Sequence, residues 1–66
     1  MSLVKVIELI AEGKSIEDAV TSAVEIASET VRNIRNVYIQ DMQAIVEKNK
    51  VTKYRLNVKV SFLIGK

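Results

Sequence analysis

The chain contains no cysteine and no histidine. Disulfides are therefore excluded, and so are zinc sites built from thiolate and imidazole ligands. No cysteine can act as a nucleophile, and no histidine can activate a serine. Acid–base chemistry would fall to carboxylates, lysines or tyrosines, and no two carboxylates are suitably placed for it. We therefore predict that the protein is not an enzyme.

Proline, low-complexity tracts, internal repeats and long apolar runs are absent as well. The apolar runs are far too short to span a bilayer, and the first residues lack the cleavage site of a signal peptide. We therefore expect a cytoplasmic protein that does not enter the membrane. The net charge is only +2 and is spread along the chain. Nucleic-acid-binding modules usually concentrate their basic residues, so this class of function is disfavoured.

The short chain limits what one subunit can bury. Its 66 residues allow one domain at most, spanning residues 1–66. A chain of this length buries only about 60% of its unfolded surface, so a lone subunit would be marginally stable. Disulfides and zinc being excluded, oligomerisation is the remaining common reinforcement. With 48% hydrophobic residues, we expect a core, an interface and a closed homo-oligomer.

The clearest pattern is the strict alternation between Val51 and Ile64. Its apolar positions are Tyr54, Leu56, Val58, Val60, Phe62 and Ile64. Its polar positions are Lys53, Arg55, Asn57, Lys59 and Ser61. A period of two predicts a long β-strand with one face on the core and one face in solvent.

Two more strands and a helix are predicted before it. The run Leu3–Ala11 is apolar on both faces, so this strand should be covered by the helix and by another subunit. Ser15 followed by Asp18 resembles a capping box, and the helix should end near Asn33. Its apolar face comprises Ile16, Ala19, Val20, Ala23, Ile26, Ala27, Val31 and Ile34.

The second strand is predicted over Val37–Val46. One face would carry Tyr38, Met42, Ala44 and Val46, and the other Val37, Ile39, Asp41, Gln43 and Ile45. Residues 47–50 should form a hairpin loop of about four residues, in which Asn49 can take a positive φ. The fold class is therefore α+β, with the order β-α-β-β and a three-stranded antiparallel sheet wrapped around one helix.

Several strings in this order resemble the dodecins, a family of small flavin-sequestering proteins. They are Lys5-Val6-Ile7-Glu8-Leu9-Ile10, Ser15-Ile16-Glu17-Asp18-Ala19-Val20, Arg32-Asn33-Ile34 and Val58-Lys59-Val60-Ser61-Phe62. The resemblance covers nearly the whole chain. It implies a hollow homododecamer that binds riboflavin or FMN at subunit interfaces and stores it without catalysing a reaction.

The resemblance also implies the residues of the flavin site. Asn36 stands where flavin-binding members carry a stacking tryptophan, and Arg55 stands where they carry a hydrogen-bonding glutamine. Asparagine has no ring to stack, and arginine has no acceptor for a flavin N–H. Tyr38 should share a strand face with Asn36 and could supply a replacement ring. We therefore expect a weakened flavin site.

Other ligands remain open. Arg55 with Lys53 and Lys59 could hold an anionic cofactor, although charged strand faces usually serve only to stay solvated. Asp41 and Glu47 could contribute oxygen ligands to Ca²⁺ in a site completed by another subunit. The assembly could also be purely structural.

Overall fold

The fold comprises three strands and one helix in the predicted order. In the computed structural model, which describes residues 3–65, the elements are β1 (Val4–Gly13), α1 (Ile16–Ala27), β2 (Ile34–Glu47) and β3 (Lys50–Leu63). The sheet order is β1-β3-β2, and both pairings are antiparallel. The predicted α+β fold class is therefore confirmed. Within residues 3–65 no helix is long and apolar enough to cross a membrane.

The core lies between β3 and α1. Leu56, Val58 and Val60 have no exposed surface, and Phe62 is nearly buried. Leu56, Val58 and Val60 form a cluster with Ala19, Ala23 and Ala27, whose small side chains let the helix approach the sheet closely. The predicted buried face of this strand is confirmed over these positions. It does not extend to Ile64, which lies beyond β3 and is 58% exposed.

The helix starts as predicted but ends early. The Asp18 amide donates to the Ser15 side chain at 3.0 Å, which caps the first turn. The helix ends at Ala27, not near Asn33, because the amides of Glu29 and Thr30 donate to carbonyls three residues back, those of Ile26 and Ala27, instead of four. Asn33 does take a positive φ of 62°, but it does so at the entry to β2.

Two residues of the predicted apolar face of the helix are exposed, Ile16 by 38% and Ile26 by more. Ile26 is 64% accessible in a single subunit. The contact with the sheet is centred on the row of three alanines that ends at Ala27, and Ile26 lies to one side of that row. The prediction that Ile26 belongs to the core is wrong for one subunit.

The β2–β3 turn is tighter than predicted. Glu47 and Lys50 pair as strand residues, so the loop contains only Lys48 and Asn49. Both have positive φ, 53° and 65°. A two-residue loop of this kind matches the twist of the strands it joins. The positive φ of Asn49 is confirmed, whereas the four-residue loop is not.

A bulge in β2 reverses the predicted alternation. The register with β3 shifts between Ile39 and Asp41, leaving Gln40 without a direct partner. Before the bulge, Ile39 pairs with the core residue Val58, and after it Met42 pairs with the core residue Leu56. The prediction that Tyr38 and Met42 share a face is therefore wrong.

We call the sheet side turned away from α1 the outer face. Strand residues that pair with the polar positions of β3 lie there, because directly opposed residues of antiparallel strands share a face. Those of β2 are Asn36, Tyr38, Asp41, Gln43 and Ile45, and those of β1 are Val6, Glu8, Ile10 and Glu12.

A single subunit is elongated. Its longest dimension is 51 Å and its radius of gyration is 13.6 Å. A compact chain of this length would have a radius of gyration of about 11 Å. The 12-residue helix spans about 18 Å, whereas a 14-residue strand spans about 46 Å. The helix therefore cannot cover the whole sheet.

Gly13 marks the closest approach of β1 to the helix. A Cβ atom at this position would lie 2.6 Å from the backbone nitrogen of Ala19 and 2.9 Å from Cβ of Asp18. Since a backbone atom cannot turn aside, we expect Gly13→Ala to lower the free energy of unfolding by about 1–3 kcal/mol. Urea denaturation followed by circular dichroism measures the change.

Gly65→Ala is the matched control for this prediction. A Cβ there would lie 3.3 Å from the nearest atoms, which belong to the Leu3 side chain, so a shift of a few tenths of an ångström relieves the contact. Equal stability of Gly13→Ala and the unmodified protein would show that the β1–α1 connection is looser than described.

Candidate functional site

The three predicted flavin-site residues lie on the outer face. Asn36 pairs with Ser61, and Tyr38 pairs with Lys59 two residues further along β2. Arg55 lies on β3 opposite Gln43. All three side chains are exposed, and Tyr38 is 62% accessible. They therefore face a surface that a ligand can reach.

Asn36 is held by its cross-strand neighbour. The Ser61 hydroxyl donates a hydrogen bond to Oδ1 of Asn36. This contact occupies the amide oxygen and leaves the amide NH₂ as a donor. The adjacent Tyr38 carries the exposed aromatic ring at this end of the outer face.

Arg55 is held by a carboxylate on β1. Glu12 lies directly opposite Arg55, and its Oε2 is 2.8 Å from Nε of Arg55. Its other oxygen, Oε1, is 3.1 Å from Nζ of Lys53. Hydrogen bonds from Arg55 first, and from Lys53 second, lower the pKa of Glu12 below its usual value. Within residues 3–65 the side-chain hydrogen bond of Arg55 involves Nε alone, so its terminal amino groups remain donors for a ligand.

Glu12 was not identified from the sequence. It lies just beyond the predicted end of the first strand, in the last part of β1. The local pattern carries no sign of its role, because only the register between β1 and β3 places it opposite Arg55. Glu12 could have been identified only if the pairing register of β1 and β3 had been known.

Beside Arg55 the outer face forms an open depression of about 340 Å³. Its lining comprises the outer-face residues Ile10, Asp41, Gln43, Arg55 and Asn57, together with Met42, which lies between Asp41 and Gln43 in β2. Oδ1 of Asn57 is buried and has no hydrogen-bond partner within residues 3–65. A buried acceptor without a partner costs about 1–3 kcal/mol, so this oxygen is a candidate contact for a ligand donor.

The two parts of the predicted flavin site are far apart in one subunit. Ser61, beside Asn36, and Arg55 are six positions apart on β3. At about 3.4 Å per residue they are separated by roughly 20 Å. A ligand that contacts both Asn36 and Arg55 therefore needs Arg55 or Asn36 from a second subunit.

The predicted Ca²⁺ ligands are separated as well. Asp41 pairs with Asn57 in the middle of the sheet, and Glu47 pairs with Lys50 beside the hairpin turn. Within the described residues no group of three or more acidic, histidine or cysteine side chains could hold a metal ion. A cation site at Asp41 or Glu47 still depends on a second subunit and stays a prediction.

The predicted cluster of cations is partly neutralised. Lys53 and Arg55 share the Glu12 carboxylate. Lys59 lies opposite Glu8 on β1. One uncompensated positive charge therefore remains at the Glu12, Lys53 and Arg55 group, which favours an anionic ligand only weakly.

Comparison with known proteins supports one family. A family model described as Dodecin matches residues 3–65. A crystal structure of an arginine-to-alanine mutant of Thermus thermophilus dodecin has a TM-score of 0.90 at 19% identity, covering 100% of both chains. Dodecin from Streptomyces coelicolor has a TM-score of 0.89 at 21% identity, covering 98% of this chain and 94% of its own. Dodecin from Streptomyces davaonensis has a TM-score of 0.88 at 14% identity, covering 98% and 97%.

The high TM-scores of these solved structures establish a shared fold. Because the sequence identities are low, the comparison with them extends to the fold alone. A search of curated proteins found no match to this chain.

The lowered pKa of Glu12 predicts a pH-dependent contribution to stability. A carboxyl group with a depressed pKa in the folded state stabilises that state above its unfolded pKa, and this contribution is lost as the pH falls through the folded value. We therefore expect Glu12→Gln to be less stable than the unmodified protein at about pH 7, with a difference that disappears in acid. Urea denaturation midpoints measured across the acidic range give the comparison.

Glu8→Gln serves as the control, because Glu8 lies on the same face of β1 and forms no ion pair within residues 3–65. A Glu12→Gln difference that stays constant from neutral to acidic pH would contradict the assigned ion pair.

Proposed function

This chain belongs to the dodecin family, and from this premise we propose that it forms a single dodecin-like domain that assembles into a closed homododecamer and binds riboflavin or FMN at subunit interfaces. The proposed role is storage of the flavin without catalysis. The cytoplasm is the proposed location.

The exposed apolar surface of one subunit supports assembly. Twelve large hydrophobic residues in the described part of the chain are exposed. They include Val4, Val6 and Ile10 on β1, Ile26 on α1, and Met42, Val46 and Val51 near the β2–β3 turn. Apolar surface on this scale is typical of a subunit whose partners cover it.

The separation of Asn36 and Arg55 is the observation that carries the proposed location of the ligand. Both positions correspond to flavin contacts in the family pattern, yet roughly 20 Å lies between them in one subunit. Two subunits packed through their outer faces or edges can place Asn36 and Tyr38 of one chain near Arg55 of another. The ligand site is therefore proposed at an interface.

The substitutions in this chain change the affinity that the family pattern implies. Asn36 cannot provide the aromatic stacking that is worth about 0.5–1.5 kcal/mol beyond area burial. The exposed ring of Tyr38 can compensate for part of this loss. Arg55, fixed through Nε by Glu12, donates from its terminal amino groups to flavin carbonyl oxygens.

A second candidate ligand is an anionic cofactor other than flavin. The observation in its favour is that Lys53 and Arg55 together share one carboxylate, leaving one positive charge beside the depression. A phosphate-bearing cofactor such as coenzyme A would then bind where riboflavin binds poorly. A Ca²⁺-binding or purely structural assembly has less support, because both lack a contact of this kind.

Assembly and flavin binding can be tested separately. Native mass spectrometry should give a mass of twelve subunits. Titration with riboflavin or FMN should give saturable quenching of flavin fluorescence with a dissociation constant of roughly tens of micromolar, which corresponds to a binding free energy on the order of 7 kcal/mol. Coenzyme A is titrated in parallel as a competitor. A monomer at working concentration would contradict the assembly, and the absence of saturable quenching would contradict the flavin ligand.

Restoring a stacking ring should strengthen flavin binding. We expect Asn36→Trp to lower the flavin dissociation constant roughly 2- to 10-fold, since it adds the aromatic contact that asparagine lacks. Arg35→Trp places the same side chain on the exposed neighbouring position and is the matched control. Equal effects of the two variants would show that the outer face at Asn36 does not contact the flavin ring.

A further inference from the structure

The hydrogen-bonding capacity of Arg55 is one-sided. Its guanidinium donates and never accepts. The pyrimidine edge of a flavin presents two carbonyl acceptors with an imide N–H donor between them. Arg55 can serve a carbonyl, but a second residue has to accept the imide hydrogen, and the family glutamine that could do both is absent from this chain.

An unused acceptor lies beside Arg55. Asn57 is two positions further along β3 on the same outer face, about 7 Å away along the strand. Both residues line the same depression. Oδ1 of Asn57 is the buried side-chain atom in the described chain that has no hydrogen-bond partner.

We propose that Asn57 accepts the imide N–H of the ligand while Arg55 donates to the neighbouring carbonyl. The inference rests on the proposed flavin ligand and deepens it, since it names the recognised chemical group. The site then selects planar heterocycles with an acceptor–donor–acceptor edge. Together, Arg55 and Asn57 perform the donor and acceptor roles of one glutamine amide.

Asn57 is favoured over the two other acceptors of the depression. Asp41 lies opposite Asn57, and Gln43 lies opposite Arg55. Both are exposed, so their oxygens already bond to water and gain little by exchanging it for a ligand. Oδ1 of Asn57 gains a hydrogen bond that it lacks in the free subunit.

Access to this oxygen depends on its neighbours. Oδ1 is closed to solvent in the free subunit, so side chains around it have to turn aside as the ligand enters. The Arg55 side chain beside it is 45% exposed, so a ligand can reach this part of the depression from solvent. Entry of the ligand thus gives the buried Oδ1 of Asn57 a hydrogen-bond donor.

Methylation of the imide nitrogen tests the inference directly. Riboflavin and 3-methylriboflavin differ in whether the imide can donate a hydrogen bond. We expect the unmodified protein to bind riboflavin roughly 2- to 10-fold more tightly, measured by fluorescence quenching. Equal dissociation constants would overturn the inference without any variant, while the proposed flavin binding would stand.

Variants identify the accepting residue. Asn57→Leu should bring the two dissociation constants close together by weakening riboflavin alone, whereas Asn57→Asp keeps an acceptor and should retain the preference. Asp41→Leu removes the facing carboxylate and is the matched control, so the preference should survive in it. Native mass spectrometry of each variant confirms that the assembly is intact before the titration.

Three further results contradict the inference. A preference that persists in Asn57→Leu, or is lost in Asp41→Leu, assigns the acceptor elsewhere and leaves the proposed function in place. Failure of the unmodified protein to bind either flavin overturns both the inference and the proposed function.

Discussion

The length of the helix relative to the strands is the constraint on which this structure depends. A helix of 12 residues reaches about 18 Å along strands that extend about 46 Å. The fully buried part of β3 is accordingly confined to the region between Leu56 and Val60. Beyond it, Met42, Val46 and Val51 remain more than half exposed. One helix therefore leaves much of the sheet of a single subunit uncovered.

The parts of the fold that could be predicted from the sequence depend on local patterns. The alternation of β3 predicted its buried residues because the strand is central and has a regular register from Arg55 to Ser61 with β1. The start of the helix was also predictable, since Ser15 caps it through a local contact with Asp18. Both features depend on residues that are close in sequence or share one face.

The features that could not be predicted depend on backbone geometry or on distant contacts. The bulge between Ile39 and Asp41 moves Met42 to the core side, and nothing in that apolar and polar sequence distinguishes a bulge from a regular strand. The early helix end depends on the amides of Glu29 and Thr30, which donate to carbonyls three residues back instead of four. The position of Glu12 opposite Arg55 exists only once β1 and β3 are paired. The sequence therefore predicted the outer-face position of Arg55 but not the residue that holds it.

The contacts around Arg55 are better understood as positioning than as stabilisation. The side chains of Glu12, Lys53 and Arg55 are 37%, 42% and 45% exposed, and ion pairs at this level of exposure contribute little to folding. They fix Nε of Arg55 to Glu12 on β1 and leave its terminal amino groups without a protein partner in the described chain, beside the depression that Arg55 lines together with Asn57. A donor-only residue beside an unpaired acceptor gives this surface a hydrogen-bonding pattern that neither residue has alone.

Assembly and binding are thermodynamically coupled under the proposed function. A ligand that contacts Asn36 and Tyr38 of one subunit and Arg55 and Asn57 of another binds the interface and not the separate chains. Such a ligand stabilises the assembly by mass action, because it has affinity for the associated state alone. Conversely, the interface makes the site drier, and charge-assisted hydrogen bonds from Arg55 strengthen when water is removed. Asn36 lacks the stacking contact that a tryptophan would make with the ligand. Hydrogen bonds from Arg55 and Asn57 to the polar edge of the same ligand can offset this loss once assembly has placed the two groups of residues at one interface.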